Sequence, residues 1–369
     1  MESIMGFEKG MVSFRMFYAP DKLPDDHLAR FQATKLPPLG TLAQESLEGW
    51  VGGRHLLDYD FDQHTAYPSG YLRLTLTRAE KKIPVSLLNA ECRMEELARQ
   101  RAEGLEFLSA PVRREIRQEV RERLLPTMPP QLKGLDMVYD PRTGILYSSA
   151  CSEKQTELLQ LVFLRTTGRA LEPCDPLSVA LREAKSDIRD WHPVSFALMA
   201  NEEGVTCGAG RELLTWLWFL SETRGGEVEL PGGERVALLI EGPLLLVNEG
   251  RGAHEAQLRK GDPVVGAETR ASLQSGKMLK RARLTLAQGD ECWSCVPDAD
   301  GFVFRGMRLP PVESYDSHSR FAERMVHLDR FRCLFTGLYA EYIRHRKTPA
   351  LWKPLVEDLR RWVVDRPGR

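Results

Sequence analysis

Along residues 72–77 apolar and polar side chains alternate, with Leu72, Leu74 and Leu76 set against Arg73, Thr75 and Thr77. This period of two predicts a half-buried strand, and the charged stretch running on to Pro84 reads as the turn that ends it. Val112, Ile116, Val120 and Leu124 instead recur every fourth residue, which predicts a helix with one apolar stripe, opened by Pro111 and stopped by Pro126. A second helix with a broken apolar face (Leu87, Leu88, Cys92, Met94, Leu97) precedes it over residues 85–101. Residues 140–144 read as a hairpin turn. Ser152 with Gln155 three positions on has the capping-box pattern for a helix to about Thr166.

The rest of the chain divides in the same way. A strand is expected over 11–18, a short helix over 24–31, and a period-two stretch over 56–62. Two prolines between 169 and 176 mark a boundary between halves 1–170 and 171–369. The second half reads as a polar helix over 176–190, a strand over 194–199 and a buried helix over 210–220. A hairpin follows about Pro231-Gly-Gly233, then a strand over 244–248 and a helix from Asp262 to about Ser275. Three successive strands (277–286, 291–296, 302–309) and two helices (319–346, 350–364) complete it. Hairpins in runs with helices between them predict an α+β fold of antiparallel sheets, in several subdomains. No glycine-rich phosphate loop and no regular βα alternation points to a doubly wound sheet.

Composition narrows the function classes. The chain of 369 residues is 42% hydrophobic and 28% charged, an ordinary globular balance. No apolar run approaches the ~20 residues of a membrane span, and the first residues lack the pattern of a signal peptide, so a cytoplasmic protein without a membrane partner is expected. Seven widely spaced cysteines suit free thiols. The net charge of −1 means that any nucleic-acid binding has to come from cations gathered on one surface, not from the overall field.

Such cations exist. Arg113, Arg117 and Arg121 repeat every fourth residue beside the apolar stripe, although Glu115, Glu119 and Glu122 offset them, as on an ordinary solvated helix. Arg78, Lys81 and Lys82 follow one strand. Lys277, Lys280, Arg281 and Arg283 open another, where simple alternation puts Lys277, Arg281 and Arg283 on one face and Lys280 on the other. A groove carrying these groups would neutralise phosphates without reading bases.

Other chemistry is weaker. Asp58, Asp60 and Asp62 would line one strand face, and three carboxylates can hold Mg²⁺ for phosphodiester cleavage; an exposed acidic stretch is the plainer reading. Cys292 and Cys295 have redox or half-zinc spacing, but no second ligand pair accompanies them and a strand points them to opposite faces. Trp216 and Trp218 read as core. No catalytic residue, metal site or cofactor is assigned.

The order of these features resembles the RdgC family of bacterial recombination-associated DNA-binding proteins. The matching residues are Arg78, Glu80, Lys82, Ile83 and Pro84 after the first strand, Leu124-Leu125-Pro126 closing the charged helix, the hairpin and the Ser152 helix. Ser275-Gly276-Lys277 and Phe321-Ala322-Glu323-Arg324 before the C-terminal helices also match. The likeness is carried by residues 70–168 and 270–345, while residues 204–262 depart from the pattern. It implies a non-catalytic, nucleoid-associated homodimer closed into a ring around duplex DNA, binding without regard to sequence and restraining the RecA recombinase. Arg78, Lys82 and Lys277 lie at matched positions. Lys81, Arg113, Arg117, Arg121, Arg281 and Arg283 join them as phosphate contacts on charge and phase alone. A Mg²⁺-dependent nuclease and an interaction scaffold without nucleic acid are the alternatives.

Overall fold

A computed structural model gives the fold and describes residues 6–19, 22–41, 46–197, 208–248, 254–314 and 316–365. The chain opens with β1 (Val12–Tyr18), α1 (His27–Ala33), β2 (Leu47–Gly52), α2 (Gln63–Ala66) and β3 (Leu72–Lys81). Two long helices follow, α3 (Val85–Glu103) and α4 (Ala110–Leu124), then the hairpin β4 (Pro130–Asp140) and β5 (Ile145–Ser148), and α5 (Glu153–Thr167). Next come β6 (Glu172–Pro173), α6 (Pro176–Arg182), α7 (Ala209–Thr223), β7 (Glu227–Glu229), β8 (Arg235–Val247), β9 (Glu255–Leu258) and α8 (Ala267–Gln274). The meander β10 (Met278–Gln288), β11 (Glu291–Asp298) and β12 (Val303–Arg308) leads into α9 (Ser317–Lys347) and α10 (Pro349–Asp365).

The twelve strands of the described residues join one antiparallel sheet in the order β2-β3-β4-β5-β1-β12-β11-β10-β8-β7, with β6 on β1 and β9 on β8. The strand β1 joins the two halves: Phe14 lies opposite Phe304 of β12, and Met16 opposite Tyr147 of β5. The α+β class expected from the pattern is the class observed.

The helices cover opposite faces of this sheet in its two halves. Phe14, Trp293, Ala282, Leu284, Leu286, Val236, Leu238 and Ile240 point to one side, into a core closed by α7, α9 and α10. Leu72, Leu74, Leu76, Leu135, Met137 and Phe17 point to the other, against Phe31 of α1 and Leu159 and Phe163 of α5. Trp216 and Trp218 are buried in the first core, as their pattern requires. Gly210 lets α7 approach the turn after β11, since a Cβ there would stand 2.0 Å from the Ala299 carbonyl oxygen.

The helices α3 and α4 leave the sheet as a paired arm. Cys92, Leu108, Ile116 and Val120 form a core of their own, separate from the other two. The β3–β4 ladder runs unbroken to Lys81 opposite Pro130, so the arm hangs from a single hairpin. At ~1.5 Å per residue its first helix is roughly 28 Å long.

Several local expectations are corrected. The first strand does not stop at Thr77 but continues to Lys81, so Arg78 and Lys81 lie on a strand rather than in a turn. Residues 56–62 form no strand. The polar helix after Pro176 ends at Arg182, and α1 begins at His27. Residues 194–197 are not a strand, and 198–199 lie outside the described residues. The stretch 244–247 is no separate strand but the far end of β8, continued past an irregularity at Gly242-Pro243.

Candidate nucleic-acid interface

Strand parity places the cations. On β3 and β4 the residues facing the α1/α5 side include Leu76 and Leu135. Arg78 and Lys133, directly paired two positions further along the ladder, therefore face the same side. Arg78 donates through Nη2 to Ser46 Oγ at 3.1 Å, and its buried Nε has no partner. Lys82 sits 2.8 Å from Glu80, which also takes Lys133 at 3.1 Å. The Lys82 ammonium holds the Glu80 carboxyl below its usual range, against the effect of burial. Lys81 faces the opposite side and donates to the Pro126 carbonyl at 2.7 Å.

The second group lies on the half of the sheet whose α1/α5 side carries no helix among the described residues. Along β8, Arg235, Ala237, Leu239 and Glu241 are exposed while Val236, Leu238 and Ile240 are buried. Arg283 and Cys292 are exposed on the same side. Arg281 and Arg283 flank the buried Ala282 on β10 and project from this open face. Arg281 is held by Asp298 of β11, with Nε at 2.6 Å. Lys280 turns the other way, to Asp300 at 2.7 Å, which also accepts from Arg211 of α7 at 2.6 Å. Burial pushes the Asp300 carboxyl up, but Arg211 and Lys280 outweigh it and hold it below its usual range.

The alternation expected to bring Lys277 beside Arg281 is interrupted. A register shift between Leu279 and Arg281 puts both Met278 and Leu279 into the core. Lys277 precedes the strand, with its Nζ 3.1 Å from Ser275 Oγ.

Two arginines not singled out in the sequence complete the open face. Arg15 of β1 and Arg305 of β12 project from it where it meets the start of α5. Arg15 reaches Thr156 Oγ1 at 3.4 Å and Arg305 the Cys151 carbonyl at 3.1 Å. The Nε of each is buried without a partner. Burial lowers the Arg15 pKa, with Asp175 pulling the other way. Arg15 is the single charge of β1 and Arg305 shares β12 with Arg308, and only the pairing of β1 with β12 brings Arg15 and Arg305 together. Between β1 and β8 the open face thus carries Arg15, Arg235, Arg281, Arg283 and Arg305 against Glu241 and Asp298, while Glu227 and Glu229 make the outer edge acidic.

Arg113, Arg117 and Arg121 are exposed along the arm, and Arg117 donates to Asn89 Oδ1 at 3.3 Å. The arm from 85 to 124 holds eight arginines and eight glutamates, and several are paired, Arg123 with Glu91 at 3.0 Å and Arg99 with Glu103 at 3.3 Å. The ridge is therefore locally positive on a neutral arm. Arg78 and Arg281 are six strands apart, roughly 29 Å at ~4.8 Å per strand, with α1 and α5 between them. The cations form an arm group, an arm-root group and an open-face group rather than one patch.

The acidic triplet is taken apart by the loop that carries it. Asp58 is buried and accepts from Arg54 Nε at 2.8 Å. Asp62 caps α2 through the Thr65 and His64 amides at 2.8 and 3.0 Å. Asp60 is exposed. Among the described residues no three acidic, histidine or cysteine side chains are grouped to hold a metal ion. Cys292 is exposed and Cys295 buried, on opposite faces of β11, and no helix among the described residues is long and apolar enough to cross a membrane. A scan against protein-family models and a search of curated proteins both return no match for the chain.

Proposed function

We propose that this protein is a non-catalytic, sequence-independent binder of duplex DNA that works as a homodimeric ring, as its likeness to the RdgC pattern implies. The observation that carries the reading is the open sheet face. Four arginines of β1, β12 and β10 lie on one sheet face, Arg281 and Arg283 where no helix of the described residues covers it and Arg15 and Arg305 where it meets the start of α5. Guanidinium groups on a rigid sheet favour phosphate contact, and the sparse base-reading chemistry around them favours binding without sequence preference. In a two-fold dimer each patch appears twice, so a chain with net charge −1 can still enclose a cationic hole.

The arm supplies the surface for closing such a ring. Leu105 and Phe107, in the turn joining α3 to α4, are 48% and 79% exposed. An apolar tip on a charged arm is the composition of a contact surface. Occupied duplex would be withheld from the RecA recombinase, which makes restraint of recombination the expected consequence.

The test is an electrophoretic binding assay on a labelled duplex with Arg281→Gln and Arg283→Glu combined. Arg283 is exposed and Arg281 is half-buried in an ion pair with Asp298, so retention of the fold is checked by circular dichroism. The affinity should fall roughly tenfold or more. Unchanged affinity would remove the open face as the DNA surface.

A further inference from the structure

At the end of the sheet where β1 begins and β12 ends, a cleft of about 420 Å³ opens between residues 8–11, residues 308–312 and the first two turns of α9. This is within the size range of small-ligand and peptide-end sites. Among the described residues Lys9, Arg308, Arg320 and Arg324 line it with one acid, Glu8, whose carboxylate is engaged by Arg73 at 2.5 Å.

Arg324 is the most informative of these. It is only 7% exposed. Its Nε donates to the Phe7 carbonyl at 2.9 Å, and its Nη2 to the carbonyls of Gly6 and Gly10 at 2.8 Å each. All three acceptors are neutral, and burial lowers its pKa. A buried charge is ordinarily paired; this one is held by backbone carbonyls and makes no ion pair among the described residues. At the mouth, Lys9 and Arg308 are exposed and make no ion pair among the described residues.

The remaining lining is aliphatic. Met11 is 60% exposed, and Leu309 and Val312 are half-buried around Pro310 and Pro311. Among the described residues no aromatic ring lines the cleft, so none of them offers a nucleobase a stacking surface. An anion carried beside an apolar side chain fits better than a nucleotide.

We propose that this cleft captures the acidic C-terminal end of a partner polypeptide, with the free carboxylate and neighbouring acidic groups met by Lys9 and Arg308 and the apolar last side chain lying on Met11, Leu309 and Val312. Charge complementarity and the aliphatic floor select this occupant, and capture of a chain-end carboxylate is a recurring recognition mode. The site goes beyond DNA binding and does not depend on it.

The experiment is fluorescence polarisation of a labelled peptide of acidic residues ending in leucine with a free carboxylate, beside its C-terminal amide and a version with lysines for the acids. The free-acid peptide should bind, the amide more weakly and the lysine version not at all. Lys9→Glu and Arg308→Glu, both at exposed positions, should each weaken binding roughly tenfold, which is ~1.4 kcal/mol. Met11→Asn should weaken it with charge at the mouth intact. Lys9→Glu should leave duplex affinity unchanged, which separates this site from the DNA surface. Absence of peptide binding at millimolar concentration, or equal binding of acid and amide, overturns the proposal. So does displacement of the peptide by inorganic pyrophosphate at equal concentration, which would make the cleft a phosphate site.

Discussion

Asp136 shows how a single side chain couples this fold to pH. It lies on β4 beside β3, where the Thr75 hydroxyl donates to its Oδ1 at 2.8 Å. Burial pushes its carboxyl up to about 6, with Thr75 and Arg73 pulling the other way. An unfolded aspartate titrates near ~3.9, so the folded chain holds this proton more tightly. The contribution is fully present below ~3.9 and is lost as pH rises through about 6. Other carboxyls have the opposite sign, Asp140 and Asp187 among them, so the readout is a difference. The urea midpoint of the native chain minus that of Asp136→Asn should fall between pH 4 and pH 6.5 and level off above. A flat difference would mean that Asp136 titrates normally.

At the scale of elements, the arm is the feature with the clearest consequence. Its core is its own, and Lys81 and Pro130 are already paired at its root. Replacing residues 82–129 by Asn-Gly, a two-residue hairpin turn, should leave one cooperative unfolding transition with Tm within about 5 °C. Loss of cooperative folding would show that the arm is integral to the sheet. The arm was also legible in the sequence, because four-residue spacing at Val112, Ile116, Val120 and Leu124 has no strand counterpart. The Ser152 cap was legible for a similar reason: its chemistry is local, and both halves of the capping box form. The failures are local mimicry. Residues 56–62 alternate like a strand, but Asp58 is consumed by Arg54 and Asp62 by the cap of α2. Charge at residues 78–81 read as a turn, whereas a ladder of ten paired residues with β4 overrides it.

At the scale of the molecule, what was hidden is long-range pairing. Nothing near Arg15 or Arg305 in the sequence announces that β1 and β12 lie side by side, and the open-face cluster exists only through that pairing. The alternation within β10 was readable, but the shift beside Lys277 depends on its neighbour β8. The ring itself makes a separate claim on the arm tip. Phe107→Asp should lower the dimer affinity or open one of two contacts, seen in sedimentation velocity as a smaller or more extended species. An unchanged sedimentation coefficient across dilution would place the dimer contact elsewhere.

Phosphate binding by the cations of one sheet face is read by fluorescence anisotropy of two labelled duplexes of unrelated sequence, titrated at several salt concentrations without Mg²⁺. The two duplexes should bind alike. Log K should fall with log salt by roughly 0.9 per phosphate neutralised, and the combined Arg281→Gln and Arg283→Glu variant should lose about two of those increments. No binding of either duplex at low salt, or a slope that the variant leaves unchanged, would contradict it.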